Sequence, residues 1–417
     1  MENIQHSTFN VERPVNSILA LLGRWALNVE CWTFPKFRRR ARNAVWLLIL
    51  VSIAVSAPAE ETNRLSKPER FITYTNDVNP DKPLSIHIVK IDRARSDLRF
   101  YTTLGGGDTM GMGVVSEQVK TVPREIGQPL AAVNGDFYEE ATDYPTRPRD
   151  IQIRNGEVLT HPDGHTSFWL DAKGRPQMTN IVSRFRAVWP SGKAIPFGLN
   201  LARSNGCAVL FTSAIGKTTL THDGREYILE KSGDGDWLPL RVGKTYKARV
   251  RAVRSDGNSP VDRETMVLSL DPNLAAKVRD LHPGATIRIV TETHPDLSGA
   301  DFAIGGGPAL VRNSKVLTWK GWLHFPHPRT ALGWNQTHFF LVQADGRQLD
   351  LSIGMTFPDL ADYMLKIGCE EAMNLDGGGS ATLWAFGAVR NSPSEGEERP
   401  APNALVVVKK NLERETK

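Results

Sequence analysis

The residues best suited to chemistry lie in the short segment Asn374–Ser380, with the sequence NLDGGGS. Three successive glycines lose much backbone entropy on ordering, so they indicate a sharp bend or a close approach to another group. Consecutive amides in such a bend can form an anion-binding nest, beside which Asp376 would present a carboxylate. A glycine-rich hairpin in which Asp376 caps the turn explains the same pattern. Taken alone, the segment does not decide between a nest and a hairpin.

Two further groups of polar residues could bind an anion or a metal. Arg329 precedes an apolar stretch, and a half-buried guanidinium suits phosphate, carboxylate or a structural acidic partner. His324 and His327 flank a proline, but no third ligand follows at a diagnostic spacing, which favours ordinary loop residues. Asp136 and Asp376 together remain alternative ligands for a hard divalent cation. The metal question therefore stays open at this point.

Asn134 and Asp136 follow the apolar run Leu130–Val133, which predicts a buried strand ending at a polar site. Asn134-Gly135-Asp136 is also ordinary hairpin chemistry, so in isolation a turn is favoured. A second glycine triplet, Gly305–Gly307, predicts a tight turn.

The surrounding pattern predicts many strands and few helices. Alternation predicts a strand over Leu84–Ile91, and repeated Asn-Gly and Asp-Gly turns predict many short strands between residues 151 and 295. No repeat of about 20 to 50 residues is visible, which disfavours solenoids and propellers. We therefore predict an α+β fold, a strand-rich single domain with mixed β-sheets and a few helices. The other predicted elements are helices over 114–126, 274–281 and 356–367 and strands over 286–290, 338–342 and 404–408.

The N-terminal region has the features of an export signal. The apolar stretch 44–57 follows an arginine cluster at 38–42, ends in small residues and is shorter than a spanning helix. We expect export to the periplasm or the extracellular space, with an uncleaved signal as membrane anchor the alternative. The predicted organisation is a leader and signal peptide over 1–57, a linker over 58–83, one domain over 84–408 and a polar tail over 409–417.

Charge and cysteine content exclude two classes of function. Residues 1–57 contribute +4 of the net charge of +5. The rest of the chain therefore carries about +1 and has no general attraction for nucleic acid. A local cationic pocket is compatible with this balance, and membrane contact is expected only through the leader. The three cysteines lack CxxC spacing, which argues against a cysteine-based metal cluster. Cys207 and Cys369 are expected either to pair or to be buried thiols.

Taken in order, several segments resemble the phosphodiester glycosidase family. The resemblance covers about residues 84–408 and is most specific in the last third of the chain. Asp136 departs from it, because a second glycine is usual at that position, and Asp136 is therefore a less secure catalytic candidate than Asp376. The matching segments are VNGDFY (133–138), GGGPALV (305–311), PRTALGW (328–334), SIGMTFPDLADYMLKIG (352–368), NLDGGGSATLW (374–384), NSPS (391–394) and RPAPNALVV (399–407).

The resemblance implies hydrolysis of the bond between a sugar anomeric carbon and a phosphodiester, with envelope or extracellular glycans as expected substrates. A phosphate leaving group needs little general-acid assistance but does need charge neutralisation. The catalytic candidates are Asp376 as nucleophile or base, Arg329 and Asp136. No cofactor is expected with certainty, and a divalent cation is left open. The candidate substrate-binding residues are Asn134, Gly377, Gly378, Gly379, Ser380, Thr382, Arg399 and Asn403.

Two alternative functions remain at this level. One is a metal-assisted phosphodiesterase that attacks phosphorus, with Asp136 and Asp376 as metal ligands. The other is a non-catalytic envelope protein that binds polysaccharide. The combination of Asp376, Arg329 and the glycine triplet argues against simple binding, because a binding site needs no reactive carboxylate.

Overall fold

The computed structural model describes residues 71–79, 81–141, 143–318 and 325–411. The predicted leader and signal peptide, His324 and the end of the predicted tail lie outside these residues. Within them the chain is rich in strands and has few helices, as predicted, and the sheets are antiparallel except for one parallel pair, Gly198–Leu199 with Ala208–Phe211. No helix of the described part combines the length and the apolar character needed to cross a membrane.

A seven-stranded sheet carries most of the C-terminal motifs. Its central strands are apolar on both faces because helix Phe357–Lys366 covers one face and the core covers the other. The helix begins with a capping box in which Thr356 and Asp359 bond each other's backbone amides. The strands follow the order Ile72–Asn79, Leu84–Asp92, His338–Ala344, Arg329–Trp334, Glu371–Asn374, Ala309–Arg312 and Lys315–Val316.

A twelve-stranded sheet is formed mainly by the middle of the chain. Positive φ at Asn155, Gly156, Gly224 and Gly257 marks turns that join or flank its strands, at Asn-Gly and Asp-Gly pairs predicted as turns. Asp163-Gly164, also predicted as a turn, instead begins strand Asp163–Leu170. Its order is Gly198–Leu199, Ala208–Phe211, Met266–Leu270, Arg225–Lys231, Thr245–Arg254, Thr286–His294, Pro176–Val188, Asp163–Leu170, Phe302–Gly305, Gln152–Arg154 and Glu157–Thr160, with Ala194–Pro196 added beside Pro176–Val188.

A five-stranded sheet joins early and late parts of the chain. Ala404–Lys409 lies between Gln128–Asn134 and Leu98–Thr102. The full order is Ala388–Val389, Leu383–Ala385, Gln128–Asn134, Ala404–Lys409 and Leu98–Thr102, and Tyr138–Ala141 pairs separately with Tyr144–Pro148. The remaining helices are α-helices Val115–Gln118 and Pro272–Ala275 and 3-10 helices Val119–Thr121, Ser213–Ile215 and Gly378–Ser380.

An aromatic cluster holds the three large sheets together. Phe100 of the five-stranded sheet lies 5.6 Å from the rings of both Phe168 and Phe302 of the twelve-stranded sheet. Trp334 and Phe339 of the seven-stranded sheet contact Phe168 at 5.1 and 6.2 Å. Such ring pairs add about 0.5–1.5 kcal/mol each beyond the area they bury. The sheets are thus fixed relative to one another, which fixes the strand ends that build the site.

Several predicted boundaries differ from the structure. Strand Ile72–Asn79 lies within the predicted linker over 58–83 and was missed because all its residues after Ile72 are wholly or partly exposed and mostly polar. The predicted helix over 114–126 ends early, since Val122 is extended before Pro123. The helix predicted over 274–281 is only Pro272–Ala275.

The cysteine interpretation is partly corrected. Cys207 and Cys369 are both free thiols, so they do not pair. Cys369 packs in the core beneath helix Phe357–Lys366, whereas Cys207 is exposed rather than buried.

Candidate active site

The ends of strands from all three large sheets converge at one place. The amide of Asp376 donates to the Gly135 carbonyl at 2.9 Å, and the amide of Gly307 donates to the Asn374 carbonyl at 2.7 Å. The Gly135 amide in turn donates to the carbonyl of Asn403 at 3.0 Å. Segments far apart in sequence are therefore joined through their backbones.

Glycine is required where these strand ends meet. A Cβ at Gly135 would overlap the Asn403 side chain, and a Cβ at Gly305 would overlap the Asp136 carboxyl. The triplet read as a simple turn, Gly305–Gly307, thus forms part of the site, and Gly306 and Gly307 line the cavity described next. A larger side chain would force the strand ends apart.

The converging segments enclose a cavity of about 540 Å³. Its wall is strongly cationic, with four arginines and two histidines, while Asp376 is the single carboxyl group among the lining residues. Such a composition favours an anionic ligand. The lining residues are Phe137, Arg149, His165, Thr166, Asn180, Gly306, Gly307, Pro308, His327, Arg329, Arg347, Phe357, Asp376, Gly377, Gly378, Gly379 and Arg399.

Asp376 follows the end of strand Glu371–Asn374. Burial raises the pKa of its carboxyl group, and this is opposed by the Ser380 hydroxyl, the Gly377 amide and the charges of Arg399 and Arg149. The Gly377 amide donates to Asp376 Oδ1 at 2.8 Å. A partly desolvated carboxyl group held in one orientation can serve as a nucleophile or as a base.

Gly378 and Gly379 begin the short 3-10 helix Gly378–Ser380, and two of the three triplet amides bond protein acceptors, so the triplet is not a nest of three free amides. The Gly377 amide bonds Asp376, and the Gly378 amide donates to the Pro328 carbonyl at 2.9 Å. Gly378 has φ of 60°, a conformation that favours glycine. The triplet therefore holds Asp376 against the segment that carries Arg329, and its lack of side chains opens the cavity.

Arg149 and Arg399 are the arginines whose charges lower the pKa of Asp376. Arg149 stacks on the ring of Phe137 at 4.7 Å, and Arg399 donates to the Ser380 hydroxyl at 2.8 Å. The Nε atom of each is buried and has no hydrogen-bond partner among the described residues. Arg399 Nη1 also lies 3.5 Å from the Glu395 carboxylate, so Asp376 and Glu395 share the positive charge of this pair.

Arg329 occupies another part of the wall. It is 6% exposed and donates from Nε to the Met355 carbonyl at 2.9 Å and from Nη2 to the Phe325 carbonyl at 3.0 Å. Its guanidinium lies 4.1 Å from the ring centre of Phe357. The structural acidic partner considered for Arg329 is not found among the described residues.

Asp136 lies beneath the cavity, outside its lining. Its oxygens accept the amides of Phe137 at 2.8 Å and Asp150 at 2.6 Å, and its own amide donates to Asn403 Oδ1 at 2.9 Å. Burial raises its pKa to about 7. Asn403 also donates to Gln152 at 3.2 Å. Asp136 and Asn403 thus form a buried network that supports the strand ends.

Asn134 and Thr382 also lie beneath the cavity and are fully buried. Asn134 donates to the Asp376 carbonyl at 2.7 Å and accepts the Thr330 hydroxyl at 2.7 Å and the Thr382 amide at 3.1 Å. These bonds fix the backbone on both sides of the glycine triplet. Ser380 is likewise buried, under Arg399.

The structure therefore divides the predicted residues into two layers. Asp376, Arg329, Gly377, Gly378, Gly379 and Arg399 line the cavity, whereas Asn134, Asp136, Ser380, Thr382 and Asn403 support it from below.

Sequence reasoning missed Arg149, His165 and Arg347 in the wall. Arg149 and Arg347 lie in polar loops where nothing distinguishes them from surface arginines. His165 lies on the twelve-stranded sheet, where buried Asp150 accepts its Nδ1 at 3.1 Å and its amide at 2.8 Å. Asp150 was the only sequence feature that could have indicated His165, and only the fold shows that the two side chains meet.

No group of three or more His, Cys, Asp or Glu side chains in the described part of the chain is arranged to hold a metal ion. Asp136 and Asp376 occupy different layers of the site, and both Asp136 oxygens accept backbone amides. The described carboxyl groups are therefore not arranged as ligands around one cation.

The family of phosphodiester glycosidases matches residues 243–408, which confirms the predicted resemblance over that range. The match contains Arg329, Asp376 and Arg399, whereas Asn134 and Asp136 precede its first residue. The SPbeta prophage-derived uncharacterized protein YomE of Bacillus subtilis (strain 168) is 35% identical over 115 residues, which are 26% of this chain and 18% of that protein. The chain therefore matches less than a fifth of that relative's length.

Two solved structures share the fold at low identity. A hypothetical protein from Synechocystis superposes with a TM-score of 0.64 at 15% identity, over 81% of this chain and 62% of that one. A Burkholderia pseudomallei K96243 protein, provisionally described as exported, superposes with a TM-score of 0.61 at 22% identity, over 78% of this chain and 74% of that one. A TM-score of 0.40 at 14% identity, over 81% of each chain, is found for the zebrafish N-acetylglucosamine-1-phosphodiester alpha-N-acetylglucosaminidase catalytic domain, auto-inhibited by its pro-peptide.

Proposed function

We propose, on the premise that residues 243–408 form a phosphodiester glycosidase segment, that this chain hydrolyses the bond between a sugar anomeric carbon and a phosphodiester. One observation carries the proposal: Asp376, the single carboxyl group among the lining residues, is partly desolvated and shares its cavity with four arginines. A sugar-1-phosphodiester matches both features. Its phosphate would accept from Arg149 and Arg399, and its anomeric carbon would face Asp376.

The bond changes follow from that arrangement. Asp376 either attacks the anomeric carbon itself or takes a proton from a water molecule that attacks it. The bond from this carbon to the phosphate oxygen breaks, and its electron pair leaves with the phosphate. When Asp376 attacks, water then hydrolyses the resulting sugar–Asp376 ester and the Asp376 carboxylate leaves; by either route the products are a free sugar and a phosphate monoester. Arg149 and Arg399 stabilise the charge that develops on the leaving phosphate.

His165 is the second group of the wall able to exchange a proton. Asp150 fixes the ring through Nδ1, so Nε2 is the nitrogen left for a ligand or a water molecule. Because phosphate is already a good leaving group, a proton from His165 would assist rather than permit bond breaking.

Asp376→Asn tests the reacting group. We expect hydrolysis of a sugar-1-phosphodiester by the purified protein to fall about 10²–10⁴-fold, since the amide can neither attack nor accept a proton. The assay measures released sugar, with Asp136→Asn as a matched variant of a carboxyl group outside the cavity. Unchanged turnover in Asp376→Asn would remove Asp376 from the reaction.

Labelled water separates the proposal from its two alternatives. Hydrolysis in ¹⁸O-water places label in the sugar if carbon is attacked and in the phosphate if phosphorus is attacked. Parallel reactions with and without chelator report metal dependence. Saturable binding of the glycan without product after prolonged incubation would identify a binding protein instead.

We also propose that the substrates are envelope or extracellular glycans and that the N-terminal region directs export. The apolar stretch after the arginine cluster supports this assignment. Cell fractionation of the full chain, with N-terminal sequencing of the product, tests it. A full-length cytoplasmic product would contradict it.

A further inference from the structure

A second cationic cluster in the cavity consists of Arg329, Arg347 and His327. Arg347 Nη2 lies 3.4 Å from His327 Nδ1, and Arg329 is two residues from His327 along the chain. All three line the same cavity as Asp376. None of them forms an ion pair with a carboxylate among the described residues.

The two arginine charges of this cluster oppose each other, while His327 meets Arg347 through a hydrogen bond. Burial and the charge of Arg347 lower the pKa of Arg329 to about 10. Burial and both arginines lower the pKa of His327. Clustered cations of this kind raise the free energy of the folded protein unless an anion offsets them. Arg347 also has φ of 62°, a strained conformation for arginine that functional sites commonly retain.

This cluster differs in its surroundings from the pair beside Asp376. The charges that act on the Asp376 carboxyl group are those of Arg399 and Arg149, whereas the charge that acts on Arg329 is that of Arg347. Phe357 stacks on Arg329, and Phe137 stacks on Arg149, so separate aromatic rings hold the two groups. Arg347 lies over Gly378 and Arg399 over Gly379, so the two groups of cations adjoin one another along the glycine triplet.

We propose that Arg329, Arg347 and His327 form a second anion subsite that takes a further phosphate or carboxylate group of the substrate. This inference rests on the proposed function for its chemistry, in which Arg149 and Arg399 hold the phosphodiester being cleaved. The preferred substrate is then a sugar-1-phosphodiester with a second anionic group on the sugar or on the aglycone.

Binding of inorganic phosphate tests the subsite without any turnover. Calorimetry on the purified full chain should show two phosphates per molecule. Arg347→Gln should remove one of them and Arg399→Gln the other, while Arg347→Lys should keep both with weaker affinity. A single phosphate that either Gln variant removes would overturn the proposal, because one anion would then bridge all the cations.

Matched substrates test the role of the subsite in specificity. Three sugar-1-phosphodiesters would be compared, whose aglycones end in a phosphate, a carboxylate or a neutral methyl group. We expect the two charged substrates to be preferred in kcat/KM and Arg347→Gln to reduce that preference about tenfold, as for one lost charge-assisted hydrogen bond. Arg175→Gln, which removes the same charge at an exposed hairpin, should leave the preference intact.

The outcomes separate the two proposals. Two bound phosphates without hydrolysis of any substrate would refute the proposed function and keep the subsite. Hydrolysis with no preference for a second charge, in both the parent protein and Arg347→Gln, would refute the subsite and keep the function. A preference set by phosphate but not by carboxylate would identify which anion the subsite takes. Thermal unfolding of each variant shows that the fold persists.

Discussion

Asp376 ionises under two opposing influences. Burial raises the pKa of its carboxyl group, while Arg399, Arg149, the Ser380 hydroxyl and the Gly377 amide lower it. The reaction proposed above needs the ionised form, so the rate should rise with pH as Asp376 loses its proton. The rising part of the pH profile is its acid limb. The pH at which this limb lies therefore reports the balance between burial and positive charge.

Arg399→Gln should move the acid limb of kcat/KM to higher pH, because the carboxylate loses a stabilising charge while Glu395 stays nearby. A pH profile of sugar-1-phosphodiester hydrolysis measures the shift. Arg399→Lys keeps the charge and should keep the limb near its original position. A limb that stays in place in Arg399→Gln would show that another group controls the profile.

Asp136 should make the stability of the protein depend on pH. Burial raises its pKa to about 7 from an ordinary value of 3.8, so in this range the folded state binds a proton that the unfolded state releases. The contribution is most favourable below about pH 4, declines as pH rises to about 7 and is then constant. Asp136→Asn cannot titrate, so its unfolding free energy should fall less over this window. Urea unfolding at several pH values compares the two proteins, and parallel curves would contradict the assignment.

At the scale of single residues, the sequence identified the cavity's carboxyl group but not its full wall. Asp376 was recognisable because the resemblance to the phosphodiester glycosidases is most specific in the last third of the chain, around the glycine triplet beside it. Arg149 and Arg347 were not recognisable, because their place in the cavity wall depends on burial and on neighbours distant in sequence. Asn134 and Asp136 were found as polar residues at a strand end, but only the fold shows that they support the site from below.

At the scale of elements, strands were predicted wherever apolar and polar residues alternate or apolar runs stand between turns. Strands Leu84–Asp92, His338–Ala344 and Ala404–Lys409 lie where the pattern indicated. Strand Ile72–Asn79 was missed because its exposed residues bury almost nothing. The pairing of sheets could not be predicted, since register depends on contacts between distant segments.

Gly305→Ala tests the convergence of the strand ends. The added methyl group would lie 2.6 Å from Asp150 Cβ and would overlap the Asp136 carboxyl, so we expect a loss of about 1–3 kcal/mol in unfolding free energy. Gly235→Ala is the matched control, because a Cβ there meets no atom within 4 Å. Denaturant unfolding measures both, and equal stabilities would contradict the proposed packing.

At the scale of the whole molecule, the family match over residues 243–408 is not an independent folding unit. Its last strand, Ala404–Lys409, lies between Gln128–Asn134 and Leu98–Thr102, and strand His338–Ala344 pairs with Leu84–Asp92. The site likewise combines Asp376 from the matched range with Arg149 from the preceding part of the chain. The fold and the candidate site both depend on residues that the family match leaves out.

A fragment over residues 243–417 should therefore fail to fold, because its strands would expose edges and apolar faces that the first half of the domain covers. Near-ultraviolet circular dichroism and amide dispersion in NMR spectra measure tertiary structure. A fragment over 63–417 serves as the control and should show both signals. Cooperative unfolding of the shorter fragment would contradict this expectation.

The hydrogen bond between Thr166 and Asn180 adds one more property to the molecule. These side chains meet at 3.1 Å on neighbouring strands of the twelve-stranded sheet and form a patch of the cavity wall. Neither touches Asp376 or any of the four arginines through a described hydrogen bond. A combinatorial library at these two positions can therefore reshape the pocket while leaving Asp376 in place, which makes them the natural starting point for changing the ligand that the cavity accepts.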